Sequence, residues 1–210
     1  MALYEAWHLF VQQLKETDLL QWIAVVLGVA EVLLARANKI LLYPAGIVST
    51  ILSIYILYQA GLFAESLLNV YYVVMSIYGW WYWVKKKNYL PVKISYCSRK
   101  DWIIVTGIVG AAFLLLVIWL GRFTSSTFPK WDAWVSATAW AGMWLLARRK
   151  IENWLLLNIS NAFAIPLLFY KQLPLYAGLT IFLFVIAIFG YFDWKKDIAI
   201  DKALIAKQVE

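Results

Sequence analysis

Seven separate apolar runs, each 17–22 residues long, constrain this chain more than anything else in it. They cover 19–37, 40–59, 63–84, 102–121, 131–147, 153–170 and 174–193. About 20 such residues, coiled as a helix, cross the hydrocarbon core of a bilayer. Lipid offers no partner to a free backbone N–H or C=O, so each run must satisfy its own backbone, and helices do that. Composition agrees: 64% of the 210 residues are hydrophobic and 15% are charged, against roughly 25% charged in a soluble domain. Thirteen Trp and thirteen Tyr suit a protein with membrane–water interfaces. The fold class expected is an all-α integral membrane protein with seven transmembrane helices. The run 131–147 holds Asp132 and several small residues, the composition of a helix packed inside a bundle.

The net charge of +7 is distributed in short basic runs between the apolar segments, which speaks for membrane orientation and against a nucleic-acid partner. Assigning loops to alternating sides puts fifteen Lys and Arg on one side, including Arg36, Lys85–Lys87, Arg148–Lys150 and Lys195–Lys196. The other side receives four: Lys15, Arg122, Lys130 and Lys171. The positive-inside rule then places the N-terminus outside and the C-terminus in the cytoplasm. The single cysteine, Cys97, excludes an internal disulfide. Residues 1–18 carry Glu5, Lys15, Glu16 and Asp18 with no cleavage site after an apolar core, and read as an interfacial segment rather than a signal peptide.

Shifting the chain against itself by 111 residues reveals a repeat. Lys39-Ile40 falls on Lys150-Ile151 and Ser49 on Ser160. The pattern Ile-x-Gly-x-x-x-Trp-x-Lys that starts at Ile77 falls on the one that starts at Ile188. The expected organisation is an interfacial segment 1–18, a three-helix repeat over 19–84, a cytoplasmic loop and linking helix over 85–130, a second repeat over 131–194, and a cytoplasmic tail over 195–210. An odd linking helix makes the two repeats parallel, the 3+1+3 plan of SWEET-type carriers, whose substrate sites lie where the repeats meet. The competing reading is a scaffold protein with structural pseudo-symmetry and no transport.

Polar groups inside membrane helices face the bundle interior or a pathway. Span 3 carries Glu65, Asn69, Tyr72 and Ser76 on one face. Span 6 carries Trp154, Asn158 and Asn161, span 2 Ser49, Thr50 and Ser53, span 5 Trp140 and Trp144, and span 1 the lone charge Glu31. The candidate substrate-binding set is Glu31, Ser49, Asn69, Tyr72, Ser76, Trp140, Trp144, Trp154, Asn158 and Asn161. Asn both donates and accepts, and aromatic faces stack on flat rings and attract cations. Structural readings stand beside these. Ser49, Thr50 and Ser53 can bond their own backbone, the two Asn can bond a neighbouring helix, Trp81, Trp83 and Trp194 can anchor at an interface, and Glu31 can pair with Arg36. His8 is the lone histidine, and neither an acid–base pair nor a phosphate-binding loop is present, so no enzyme, metal site or cofactor is expected.

The stretch Ile77-Tyr78-Gly79-Trp80-Trp81-Tyr82-Trp83, the start of span 5 at Phe128-Pro129-Lys130-Trp131-Asp132, and Arg149-Lys150-Ile151-Glu152-Asn153-Trp154-Leu155-Leu156 resemble the PnuC family of vitamin transporters over residues 20 to 196. The resemblance implies the 3+1+3 fold and a homotrimer in a bacterial inner membrane. It also implies facilitated diffusion of a vitamin that is then trapped by cytoplasmic phosphorylation. Nicotinamide riboside members carry a Trp-x-x-Trp element in span 6, and here Trp154 is followed by Leu157. Ser49 and Asn69 stand where those members tend to have Asn and Gln. These departures, and a Trp, Tyr and Glu31 set suited to a flat cation, favour thiamine, the substrate of the PnuT branch. Nicotinamide riboside is the alternative.

Overall fold

A computed structural model describes residues 3–59, 63–85, 93–124 and 126–209. Its regular elements are eight helices: α1 (Leu3–Glu16), α2 (Leu19–Arg36), α3 (Leu42–Gln59), α4 (Phe63–Lys85), α5 (Arg99–Phe123), α6 (Pro129–Ala147), α7 (Asn153–Tyr170) and α8 (Pro174–Val209). Five of these, α2, α3, α5, α7 and α8, are long and apolar enough to cross a membrane by length and composition. The remaining long pair, α4 and α6, have 23 and 19 residues and carry the polar and small side chains that interior packing demands.

One boundary differs from the sequence reading, and the N-terminal interfacial segment takes a definite form. The segment before the first apolar run is a helix, α1, moored to α8 through Gln13. Its Nε2 donates to the Gln172 carbonyl at 2.9 Å and its Oε1 accepts from the Leu175 N–H at 3.3 Å. The expected tail after residue 194 is instead a continuation of α8 to Val209. Ile198 explains the first part of that extension, because it is buried in one apolar cluster with Ile94 and Trp194.

Packing follows the 111-residue repeat. Within the first unit α2 packs on α3 and α3 on α4; within the second α6 packs on α7 and α7 on α8. The units close crosswise, α2 against α8 and α4 against α6, while α5 leans on α6. Equivalent positions make equivalent bonds. Ser49 Oγ donates to the Ala24 carbonyl and Ser160 Oγ to the Val135 carbonyl, both at 2.8 Å. Interhelical bonds of this kind take the place of a hydrophobic driving force that lipid cannot supply.

The ends of α2 and α6 are built alike. Lys39 N–H donates to Leu34 O and Lys150 N–H to Leu145 O, both at 2.9 Å. These six-to-one bonds need a left-handed residue just before them, and Asn38 and Arg149 supply it, each with φ of 54°. Asn tolerates that conformation; for Arg it costs about 1–2 kcal/mol. Contacts hold it there: Arg149 Nη2 donates to Asn38 Oδ1 at 2.6 Å, and the guanidinium lies 3.8 Å from the Trp83 ring centroid. The two turns therefore meet each other across the repeat interface.

Candidate functional site

The Glu152-Asn153-Trp154 element organises the start of α7. Glu152 accepts the Cys97 N–H at 2.9 Å on each carboxylate oxygen. The connecting segment is thereby fastened to the α6–α7 turn, where Ser95 also forms an isolated parallel bridge with Lys150 through Ser95 N–H to Arg149 O and Ile151 N–H to Ser95 O, both 3.1 Å. Burial, and then the neighbouring Glu152 carboxylate, push the Cys97 thiol well above its ordinary value. Asn153 Nδ2 donates to Lys150 O at 2.6 Å and closes the turn. Trp154 is 1% exposed. Its ring lies over Gly190, where a Cβ would approach it to 2.7 Å, and meets Trp194 edge to face at 5.6 Å.

The first repeat holds the same device with a different ring. Tyr43 occupies the place of Trp154, over Gly79, where a Cβ would approach it to 2.5 Å, and edge to face with Trp83 at 5.1 Å. Trp83 Nε1 donates to Ala147 O at 3.1 Å and Trp194 Nε1 to Ala35 O at 3.0 Å, so each terminal Trp bonds the first helix of the other repeat. Both are buried. The interfacial-anchor reading fits neither, whereas Trp81, 53% exposed, suits it.

Among the described residues, the buried atoms without a hydrogen-bond partner include Tyr43 Oη, Trp154 Nε1, Asn158 Oδ1 and Asn153 Oδ1. Buried groups of this kind are rare in folded proteins and call for a ligand or water. Asn158 lies one turn beyond Trp154 on α7, and Asn161, half-buried, follows on the same helix. On the α4 side, Trp140 stacks on Tyr71 at 4.3 Å, and Tyr71 Oη donates to the Trp140 carbonyl at 2.9 Å. Tyr72 stands edge-on to Tyr71 at 6.0 Å, and its hydroxyl is within electrostatic reach of Glu31. Tyr43 is within the same reach.

Glu31 does not pair with Arg36. Arg36 Nε is bonded to Asp193 at 2.6 Å, across the α2–α8 contact. The Glu31 carboxylate lies over Gly46, where any Cβ would overlap it. Among the described residues it has no ion pair or hydrogen bond.

Other expected site residues fall in different places. The Ser49 hydroxyl is committed to Ala24, a bond to a neighbouring helix rather than to its own. Ser53 does bond its own helix, to Ser49 O at 3.0 Å. Ser76 is buried and Asn69 half-buried on α4; the Glu65 side chain lies outside the described residues. Trp144 packs beside the cluster of Val105, Ala141, Leu145 and Leu156, with the Arg148 guanidinium 5.7 Å from its ring. Asp132 pairs with Lys171 at 2.7 Å at the far end of the bundle. Sequence reasoning passed over Tyr43, Tyr71 and the Asn38–Arg149 contact. The repeat offset was the available signal for Tyr43 and for the two turns, since it lays Tyr43 on Trp154 and Asn38 on Arg149.

A multi-pass bundle of apolar helices in which a three-helix packing pattern occurs twice is an architecture of membrane carriers. The chain belongs to the nicotinamide mononucleotide transporter family, whose model matches residues 18–196, and it is a membrane transporter of the PnuC type. It is 27% identical to the nicotinamide riboside transporter PnuC of Escherichia coli K12, with 70% of this chain and 73% of that protein aligned. The protein of the same name in Shigella flexneri matches equally. A crystal structure of the vitamin B3 transporter PnuC superposes with a TM-score of 0.70, covering 94% of this chain and 89% of that one at 24% identity. That likeness concerns the fold.

Proposed function

We propose that the protein carries nicotinamide riboside across a bacterial inner membrane by facilitated diffusion, with cytoplasmic phosphorylation trapping the product. The family match across residues 18–196 carries this reading. The relatives in Escherichia coli and Shigella flexneri bear the name of nicotinamide riboside transporters, which favours the riboside over thiamine. Seven helices, α2 to α8, cross the bilayer as 3+1+3, with α5 the linker and α1 at the outer interface. The basic excess on one side supports an external N-terminus and a cytoplasmic C-terminus. The homotrimer rests on the family resemblance.

The substrate sits between the repeats. Asn158 and Asn161 serve the ribose hydroxyls and the carboxamide, because an amide side chain both donates and accepts. Glu31, Tyr72 and Trp140 line the opposite side, with Asn69 and Ser76 on the same helix face as Tyr72. Trp154 is enclosed in this conformation, and movement of α7 against α8 exposes its Nε1. Trp144 and Ser49 hold the surrounding helices.

Thiamine keeps one specific support: Leu157, not Trp, is seated on Gly142, where a Cβ would lie 2.9 Å from the leucine side chain. Calorimetric titration of the purified protein with both compounds tests the assignment. Saturable binding of the riboside, lowered at least tenfold by Asn158→Ala, is expected. Saturable binding of thiamine alone moves the assignment to the other branch. Binding of neither, with unchanged vesicle uptake, leaves the scaffold reading standing.

A further inference from the structure

We propose that Glu31 is the counter-charge for a cationic ring, and that this carboxylate makes the carrier select a cation over its neutral analogue. The inference rests on the reading of the repeat interface as a substrate site, and it comes from comparing the repeats. Glu31 and Gly46 of the first repeat correspond to Gly142 and Leu157 of the second. In the first, the large side chain comes from the leading helix and covers a glycine on the next. In the second, the glycine is on the leading helix and the next supplies the cover.

The same packing problem is thus solved twice, once with an apolar side chain and once with a carboxylate. Leu157 shows that the architecture needs no charge at this seat. A carboxylate placed in a membrane helix is costly and is retained where it pairs with something. Arg36 is engaged by Asp193 at 2.6 Å, and Glu31 has no ion pair or hydrogen bond among the described residues.

The surroundings define the missing partner. The charge of Glu31 is felt at the hydroxyls of Tyr43 and Tyr72. Beyond Tyr72, the Tyr71–Trp140 stack at 4.3 Å extends the aromatic surface to α6. A carboxylate beside aromatic rings attracts a flat, delocalised monocation through both charge and ring quadrupole. A pyridinium or thiazolium ring fits this description; a metal ion, which asks for several oxygen ligands, does not. Glu31 therefore sets the charge of the accepted ring, while the amide side chains of α7 set the rest of the molecule.

The test separates charge from shape. Full-length protein in nanodiscs is titrated with nicotinamide riboside and with its neutral dihydropyridine form, which keeps the same ribose and carboxamide. The wild type is expected to prefer the cation by roughly 30-fold or more, the usual scale for losing one member of an enclosed charge pair. In Glu31→Gln the two dissociation constants are expected to converge. Glu31→Leu, which keeps a large side chain over Gly46 and makes it apolar as Leu157 is over Gly142, guards against a merely misfolded variant; it is expected to keep its melting temperature and also lose the preference. Equal wild-type affinity for the two forms, or a preference that survives in Glu31→Gln, overturns the inference and leaves the transport reading intact. Binding of thiamine alone, with the same dependence on Glu31, sustains the inference and removes the riboside. A wild-type protein that binds none of the three compounds overturns both.

Discussion

The two repeats share a skeleton and differ in chemistry. In both, a serine on the second helix bonds the first, an aromatic ring covers a glycine on the third, and a terminal Trp reaches across to the other unit. In the first repeat the ring is Tyr43 and the covered seat, Gly46 on α3, lies under Glu31; in the second the ring is Trp154 and the covered seat, Gly142 on α6, lies under Leu157. Features present twice are explained by the need to hold three helices together. Features present once fall to function, because the other repeat shows the fold managing without them.

The sharpest way to break the comparison is to fill the two ring seats. Gly79→Val and Gly190→Val drive side chains into Tyr43 and Trp154, and overpacking of this kind costs typically about 1–3 kcal/mol, occasionally more. Both variants are expected to lower the apparent Tm by similar amounts in detergent. A large loss for one alone would show that the seats are not equivalent. Next come Trp83→Phe and Trp194→Phe, which keep a ring but remove the donor to Ala147 O or Ala35 O. Trp83→Phe strands the Ala147 carbonyl and is expected to cost about 1–3 kcal/mol, whereas the Ala35 carbonyl keeps the Asn38 N–H at 3.0 Å, so Trp194→Phe is expected to cost only about 0.5–1.5 kcal/mol, read from the same melting curves. Ser49→Ala and Ser160→Ala should each cost about 0.6 kcal/mol, the usual size of an interhelical bond in a membrane, and their double variant should be additive, since they lie in different repeats.

A kinetic prediction concerns a contact found at one turn only. The α6–α7 turn is held by Glu152 on the Cys97 N–H. Burial and then Glu152 raise the Cys97 pKa, so at pH 7.5 the thiolate is scarcer than in a free thiol. Maleimide labelling of native protein is expected to be at least tenfold slower than of the urea-unfolded chain, and Glu152→Gln should narrow that gap.

The pattern at Ile77 and Ile188, with Ser49 over Ser160, was enough to read the repeat, because these residues keep their identity in both units. The helix positions were legible for a simpler reason: a bilayer enforces segment length. The pairing of Tyr43 with Trp154 was not, since the two rings share a position and a glycine but not a residue type. Nor was the pairing of Arg36 with Asp193. Arg36 and Glu31 are neighbours in sequence, and local reasoning pairs them; the true partner arrives from α8 through the crosswise closure. Trp83 and Trp194 sit near helix ends, where an interfacial role is the ordinary expectation, and only the crossing of helices shows that they are interior donors.

That crossing has a consequence for synthesis. α2 leaves the ribosome well before α8, its mate. At about 5–20 residues per second, α2 waits roughly 10 to 30 seconds with one flank open to lipid and Arg36 uncompensated. Whatever shields that flank meanwhile must yield when α8 arrives. A chain stopped after α7 should therefore remain in the hands of the quality-control machinery.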